Sequence, residues 1–352
     1  MTIAALARPE IRSLCAYQAA ASRDGAIKLN ANEAPLAVGT GLEDGLNRYP
    51  ALRPVMLTRQ MAAYYGVAAD NVLATRGSSE GIDLLIRTFC SAGHDEVLLT
   101  PPAFELYQVY ASIQGARTIN IPLQADSDFS VDTDALLCAC NKRTKLIFLC
   151  SPNNPVGTVI PRKQILQIVE ARAAKSMVVI DEAYIEYSDI DSLAPLVSRY
   201  DNLVVLRTLS KALALAGARC GAVIASAGLI RLLDGVLAPY ALSSPVITTA
   251  ELALSNKQLA EAQKSVSKIV AERERLRVEL DACKAVQRIW PSLANFLFVR
   301  FKNLDKVRSC LEDAGIVIRT YANDPALRNC ARITIASVDD NNHLIHAMRS
   351  LG

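Results

Sequence analysis

Short apolar runs alternating with helical stretches dominate most of this chain, and that alternation leaves few folds open. Residues 71–75, 96–100, 118–121, 145–150, 177–180, 203–206 and 222–225 read as strands. Between them, 79–90, 104–112, 131–140 and 162–174 carry apolar residues at helical spacing, as at Ile82, Leu84, Leu85, Ile86 and Phe89. Strands apolar on both faces must be covered on both faces. The pattern therefore predicts an α/β fold: a mostly parallel central sheet, helices on either side, and right-handed connections. After about residue 245 the texture changes. Helices are expected at 245–254, 258–284, 304–313 and 341–350, with short strands at 295–301, 316–319 and 331–335, which reads as a smaller α+β domain. The expected organisation is an N-terminal arm over 1–28, a large domain over 29–245 and a small domain over 246–352.

Composition narrows the function classes. Hydrophobic residues make up 51% of the 352 and charged residues 21%, with a net charge of +3. Such a chain is not mainly disordered and can bury a large core without staples. The small charge speaks against nucleic acid as a partner. The lack of a long apolar run speaks against a membrane span, and the start lacks a secretory signal pattern. The nine cysteines contain no Cys-x-x-Cys pair. They read as free thiols of a reducing, cytoplasmic compartment. With three histidines, of which His343 and His346 sit near the C-terminus, no metal site and no histidine-based acid–base chemistry is expected.

Ligands of a parallel α/β sheet bind beyond the carboxyl ends of its strands. Four predicted strands end on polar groups: Arg76-Gly77-Ser78-Ser79, Ser151-Pro152-Asn153-Asn154-Pro155, Asp181-Glu182-Ala183-Tyr184 and Arg207-Thr208-Leu209-Ser210-Lys211. Each has a plain alternative. Gly77-Ser78-Ser79 can be a helix cap, Asn153-Asn154-Pro155 a turn, Asp181 a cap and Lys211 a surface lysine. Taken together they describe one ligand: a flat heteroaromatic with a phosphate arm, a ring nitrogen and a reactive aldehyde.

These stretches resemble the fold-type-I pyridoxal-phosphate (PLP) aminotransferases, and among them the histidinol-phosphate aminotransferases. The likeness also takes in Leu29-Asn30-Ala31-Asn32-Glu33-Ala34-Pro35, Asn47-Arg48-Tyr49-Pro50, Asp181-Glu182-Ala183-Tyr184-Ile185-Glu186, Ala216-Gly217-Ala218-Arg219-Cys220-Gly221 and Arg332-Ile333-Thr334. The resemblance implies that Lys211 bonds the cofactor covalently and then shuttles the proton. It implies that Asp181 faces the pyridine nitrogen, that Tyr184 and Asn154 bond the ring oxygen, and that Phe104 stacks on the ring. Relatives often carry Tyr at the Phe104 position. Gly77, Ser78, Ser79, Thr208, Ser210 and Arg219 would hold the cofactor phosphate, with Tyr49 reaching it from the partner of a homodimer.

For the substrate, the resemblance assigns Arg332 to a carboxylate or phosphate. Arg319, Tyr17 and Asn32 would join it on the phosphate. Ala16 replaces a proline that relatives often carry before the tyrosine. The implied activity is a ping-pong transfer of an amino group between L-histidinol phosphate and 2-oxoglutarate, in histidine biosynthesis. The alternatives are a threonine-phosphate decarboxylase, an aromatic aminotransferase, or a non-enzymatic PLP-binding module.

Overall fold

A computed structural model of the protein describes residues 3–14, 16–17, 27, 29–36, 46–321 and 324–351. Cys15 and much of the expected arm lie outside the described residues. Seven strands form the large sheet: β1 (Val72–Thr75), β2 (Glu96–Leu99), β3 (Arg117–Asn120), β4 (Thr144–Cys150), β5 (Met177–Asp181), β6 (Leu203–Thr208) and β7 (Gly221–Ile224). Their order is β1-β7-β6-β5-β4-β2-β3. Neighbours pair in parallel except at β7, which runs against both β1 and β6. The sheet is thus mostly parallel, and β1, β4, β5 and β6 all end at one edge.

The reason lies in the strand sequences. Along β5, Val178 and Ile180 point into one core and Met177 and Val179 into the other. Along β4, Ile147 and Leu149 oppose Leu146, Phe148 and Cys150 in the same way. Period-two alternation of apolar residues on both faces requires cover on both. Helix Gly77–Phe89 supplies part of it, burying Ile82, Leu85, Ile86 and Phe89. Edge strand β3 is different: Arg117 and Asn120 are exposed, and charge on an open edge discourages pairing with another chain.

A second, wholly antiparallel sheet contains β8 (Val286–Trp290), β9 (Phe296–Phe301), β10 (Arg319–Thr320) and β11 (Cys330–Thr334), in the order β10-β11-β9-β8. Leu297, Val299, Ala331 and Ile333 pack under helices Leu304–Asp313 and Val338–Arg349. Trp290 and Phe298 face the other way and join a core of the large sheet. Phe129 contacts both rings edge-on. The guanidiniums of Arg288 and Arg300 lie 4.9 and 5.2 Å from the Trp290 ring centre. Directly paired residues share a face. Arg332 pairs with Phe298 and Arg319 with Arg332, so both arginines lie on the face turned toward the large sheet. Arg273 of the long helix Asn256–Asp281 is buried. It donates to the carbonyls of Tyr187 and Ala294, tying this helix to both halves.

Helices Pro9–Arg12, Val55–Tyr65 and Ala227–Val236 and strand β8 are unforeseen in the sequence expectation. In β8 only Trp290 is buried, so its apolar signal is thin. The strand expected at 316–319 shrinks to Arg319–Thr320, because Val317 is solvent-exposed and has no sheet face to join. Among the described residues the eight cysteines are free thiols, and no helix is long and apolar enough to cross a membrane.

One close approach fixes the edge where the strands end. A Cβ on Gly221 would lie 2.7 Å from the Arg207 carbonyl oxygen, 2.7 Å from the Ser78 amide nitrogen and 2.8 Å from the Gly77 carbonyl carbon. All three are backbone atoms and cannot swing aside. Gly221→Ala is expected to cost about 2–3 kcal/mol of stability by overpacking, measured by urea denaturation. A midpoint unchanged from that of the unsubstituted protein would show that this approach is not tight.

Candidate active site

At the common edge of the parallel strands lies a cavity of about 300 Å³. It is lined by residues from every strand end read in the sequence: Ser78 and Ser79 after β1, Asn154 after β4, Asp181 at the end of β5 and Tyr184 just after it, Thr208 at the end of β6, and Ser210, Lys211 and Arg219 after it. Phe104 closes one side. An α/β sheet covered on both faces can place polar side chains only here, where the strands leave the core.

Asp181 is the last residue of β5 and is buried. One carboxylate oxygen accepts from the Tyr107 hydroxyl at 2.7 Å and the other from the Ala183 amide at 3.1 Å. Burial raises its pKa, while those two donors and the charge of Lys211 oppose the rise. Tyr107 is itself held by stacking on Phe148, with ring centres 4.8 Å apart. A carboxylate desolvated to this degree favours a cationic N–H as its next neighbour.

Lys211 follows β6 through a tight turn in which the Leu209 amide bonds the Cys220 carbonyl and the Leu215 amide bonds the Leu209 carbonyl. Its amine is held below the usual lysine range, first by burial, then by the charges of Arg332 and Arg219, with Asp181 opposing. The amine lies 5.6 Å from the centre of the Tyr184 ring. A partly desolvated lysine beside two guanidiniums is disposed to be a neutral nucleophile and base.

Opposite this pair is an anion cradle. Helix Gly77–Phe89 begins at the cavity, so its first amides are free for a ligand. The Thr208 hydroxyl donates to Ser210 Oγ at 2.9 Å, and Arg219 reaches the same oxygen at 3.4 Å. Gly77 has φ of +72°, and a Cβ there would lie 2.8 Å from Arg219 Nη2. Glycine is thus needed both for the backbone turn and for room beside the guanidinium.

Tyr184 and Asn154 stand together, the Asn154 amide donating to the Tyr184 hydroxyl at 3.3 Å. Burial pushes the Tyr184 hydroxyl pKa upward. The Asn154 carbonyl oxygen accepts from Arg332 Nη1 at 2.5 Å, which brings Arg332 to the cavity's margin. Arg332 Nε is buried with no partner among the described residues. A larger space of about 490 Å³ shares Phe104 with the first cavity and is lined also by Glu105, Pro155, Arg319 and Tyr321.

Arg319 lines only the larger space, and Tyr49, Tyr17 and Asn32 line neither within the chain. Tyr49 is exposed and stacks on Tyr240, with ring centres 4.7 Å apart. Tyr17 meets the same Tyr240 edge-on at 6.5 Å. Asn32 is exposed, with φ of +55°. Conversely, Tyr107 went unread. It sits three residues after Phe104, which precedes helix Leu106–Gln114, and the two rings meet edge-on with centres 5.7 Å apart, so its nearness to Phe104 is the signal that could have found it.

The Aminotransferase class I and II family model matches residues 15–348. A histidinol-phosphate aminotransferase of Xylella fastidiosa is 43% identical over 354 residues, covering 99% of this chain and 97% of the relative. One of Yersinia enterocolitica is 40% identical, covering 98% and 92%. Among solved structures, the histidinol-phosphate aminotransferase from Clostridium acetobutylicum superposes with a TM-score of 0.79 at 22% identity, covering 87% of this chain and 91% of that one. With its sheet edge, its Lys211–Asp181 cavity and these relatives, the chain belongs to the class I and II aminotransferase family.

Proposed function

We propose that this protein is a PLP-dependent aminotransferase that moves an amino group between L-histidinol phosphate and 2-oxoglutarate, giving imidazole acetol phosphate and L-glutamate. The observation that carries the reading is the convergence of Lys211, with its lowered amine pKa, and the buried Asp181 carboxylate on one cavity. The relatives named above carry the substrate assignment.

The donor set fits the cofactor. A helix start, two hydroxyls and Arg219 suit a phosphate, the desolvated Asp181 suits a protonated ring nitrogen, and Lys211 suits an aldehyde. Bound PLP supplies an electron sink that makes the Cα proton of an amino substrate removable. Asp181 would keep the ring nitrogen cationic, and Tyr107 holds its carboxylate in place. Tyr184 and Asn154 would bond the ring oxygen, and Phe104 would cover the ring face. Lys211 Nζ, whose pKa is held down by burial and by the charges of Arg332 and Arg219, would accept the Cα proton and return it. Ser78, Ser79, Thr208, Ser210 and Arg219 anchor the phosphate arm. Arg332 takes the carboxylate of glutamate in one half-reaction and shares the substrate phosphate with Arg319 in the other. Tyr17 and Asn32, which line neither space within one chain, would contact that phosphate. The protein works as a homodimer in the cytoplasm, with Tyr49 completing the cofactor site of the partner.

The decisive experiment is a substrate panel against 2-oxoglutarate, with histidinol phosphate, threonine phosphate, phenylalanine and aspartate. Histidinol phosphate is expected to turn over best by kcat/KM. Carbon dioxide release from threonine phosphate, or a preference for phenylalanine, would defeat the assignment.

Two further outcomes follow from the residue roles. Arg332→Gln removes one of the charges that disfavour the Lys211 ammonium, so the amine pKa should rise. In cofactor-free protein, the pH midpoint of Lys211 labelling by an amine-reactive reagent should therefore move to higher pH. An unmoved midpoint would separate the two residues. For the shared site, mixing an inactive Lys211→Ala chain with an impaired Tyr49→Phe chain should restore activity in hybrid dimers, since one of their two sites is intact. A fully active monomer in sedimentation would rule that out.

A further inference from the structure

Arg319 already has an anionic partner. Its Nη2 atom lies 2.9 Å from Glu105 Oε1, and its guanidinium lies 5.9 Å from the Tyr321 ring centre. The two members come from different sheets. Glu105 sits in the connection after β2, next to Phe104, and Arg319 sits on β10. Both line the 490 Å³ space that shares Phe104 with the cofactor cavity. Asp324 also lines that space, but one of its oxygens is bonded to the Ala326 amide. Glu105 is the carboxylate paired with Arg319.

The pair is open to solvent, with side-chain exposures of 55% for Arg319 and 67% for Glu105. An exposed ion pair is weak and exchanges easily. Arg332, opposite Arg319 in register, is engaged differently, by the neutral oxygen of Asn154. Of Arg332 and Arg319, one is therefore held by a neutral group and the other by a carboxylate.

We infer that Glu105 is a specificity-determining residue that acts as a tethered competitor: it occupies Arg319 until a ligand phosphate displaces it, and reclaims Arg319 when that ligand leaves. The inference rests on the substrate reading above, in which one site must take a phosphate and a dicarboxylate in turn. A singly charged ligand carboxylate gains little by replacing another carboxylate that is already tethered. A phosphate, with nearly two charges at neutral pH and three acceptor oxygens, gains more. The same competition keeps small free anions from lodging on Arg319 between half-reactions.

The test is calorimetric titration of inorganic phosphate into the cofactor-loaded enzyme, whose cofactor phosphate site is then already filled. Glu105→Gln should bind phosphate about threefold to tenfold more tightly than the unsubstituted protein, from loss of the competing ion pair and its repulsion of the ligand. The gain should shrink at high salt and vanish in an Arg319→Gln background, where nothing is left to compete for. Glu105→Asp, which keeps the charge, should stay closer to the unsubstituted protein than Glu105→Gln does. In kinetics, the KM for histidinol phosphate should fall further than the KM for glutamate in Glu105→Gln. A phosphate affinity unchanged in Glu105→Gln, an equal gain without Arg319, or no measurable binding by any variant would overturn the inference. Failure of the unsubstituted enzyme to transaminate histidinol phosphate would defeat the substrate reading instead, and the calorimetric comparison would still decide the exchange at Arg319.

Discussion

The large sheet is buried on both faces, and that constraint governs the rest of the molecule. Where β4, β5 and β6 run through the core, a polar side chain would have neither water nor partner and would cost several kcal/mol. Their interiors are accordingly Leu, Ile, Val, Phe and Met. Polar chemistry is displaced to the ends, and because β1, β4, β5 and β6 are parallel, their ends coincide. Asp181 marks the border: it is the last residue of its strand, still buried, and held by one hydroxyl and one amide.

The second sheet meets this edge through the same alternation. One face packs Leu297, Val299, Ala331 and Ile333 into its own core. The other begins with Trp290 and Phe298, packed against the large sheet's core, and continues to Arg332 and Arg319 beside the cavity. A single face thus supplies both the packing that joins the two sheets and the guanidiniums of Arg332 and Arg319 beside the cavity. A slip of one residue in the pairing of β11 with β9 would turn Arg332 toward the apolar core under helix Val338–Arg349.

Much of this was legible in the sequence because burial on both faces writes itself as unbroken apolar runs. The large-sheet strands were placed to within two residues, and the polar residues just after them lie around one cavity. What escaped notice did so for identifiable reasons. Strand β8 exposes Gln287 and Arg288 and buries only its last residue, so it carries little apolar signal. Tyr107 looks like any aromatic on a helix until Asp181 is seen beneath it. Glu105 looks like a solvated glutamate, since the pairing with Arg319 spans 214 positions in the chain. Tyr49, Tyr17 and Asn32 were read from family likeness alone, and within one chain none of them lines the cavity.

Trp290 is the one tryptophan in the sequence. It sits where the sheets join, against Phe129 and Phe298 and beneath two guanidiniums. Indole emission responds to nearby charge and to the dielectric around the ring. The protein therefore carries a built-in optical gauge of its inter-sheet seam: a shift of the small sheet against the large one would register as a change in colour or intensity from a single, unambiguous chromophore.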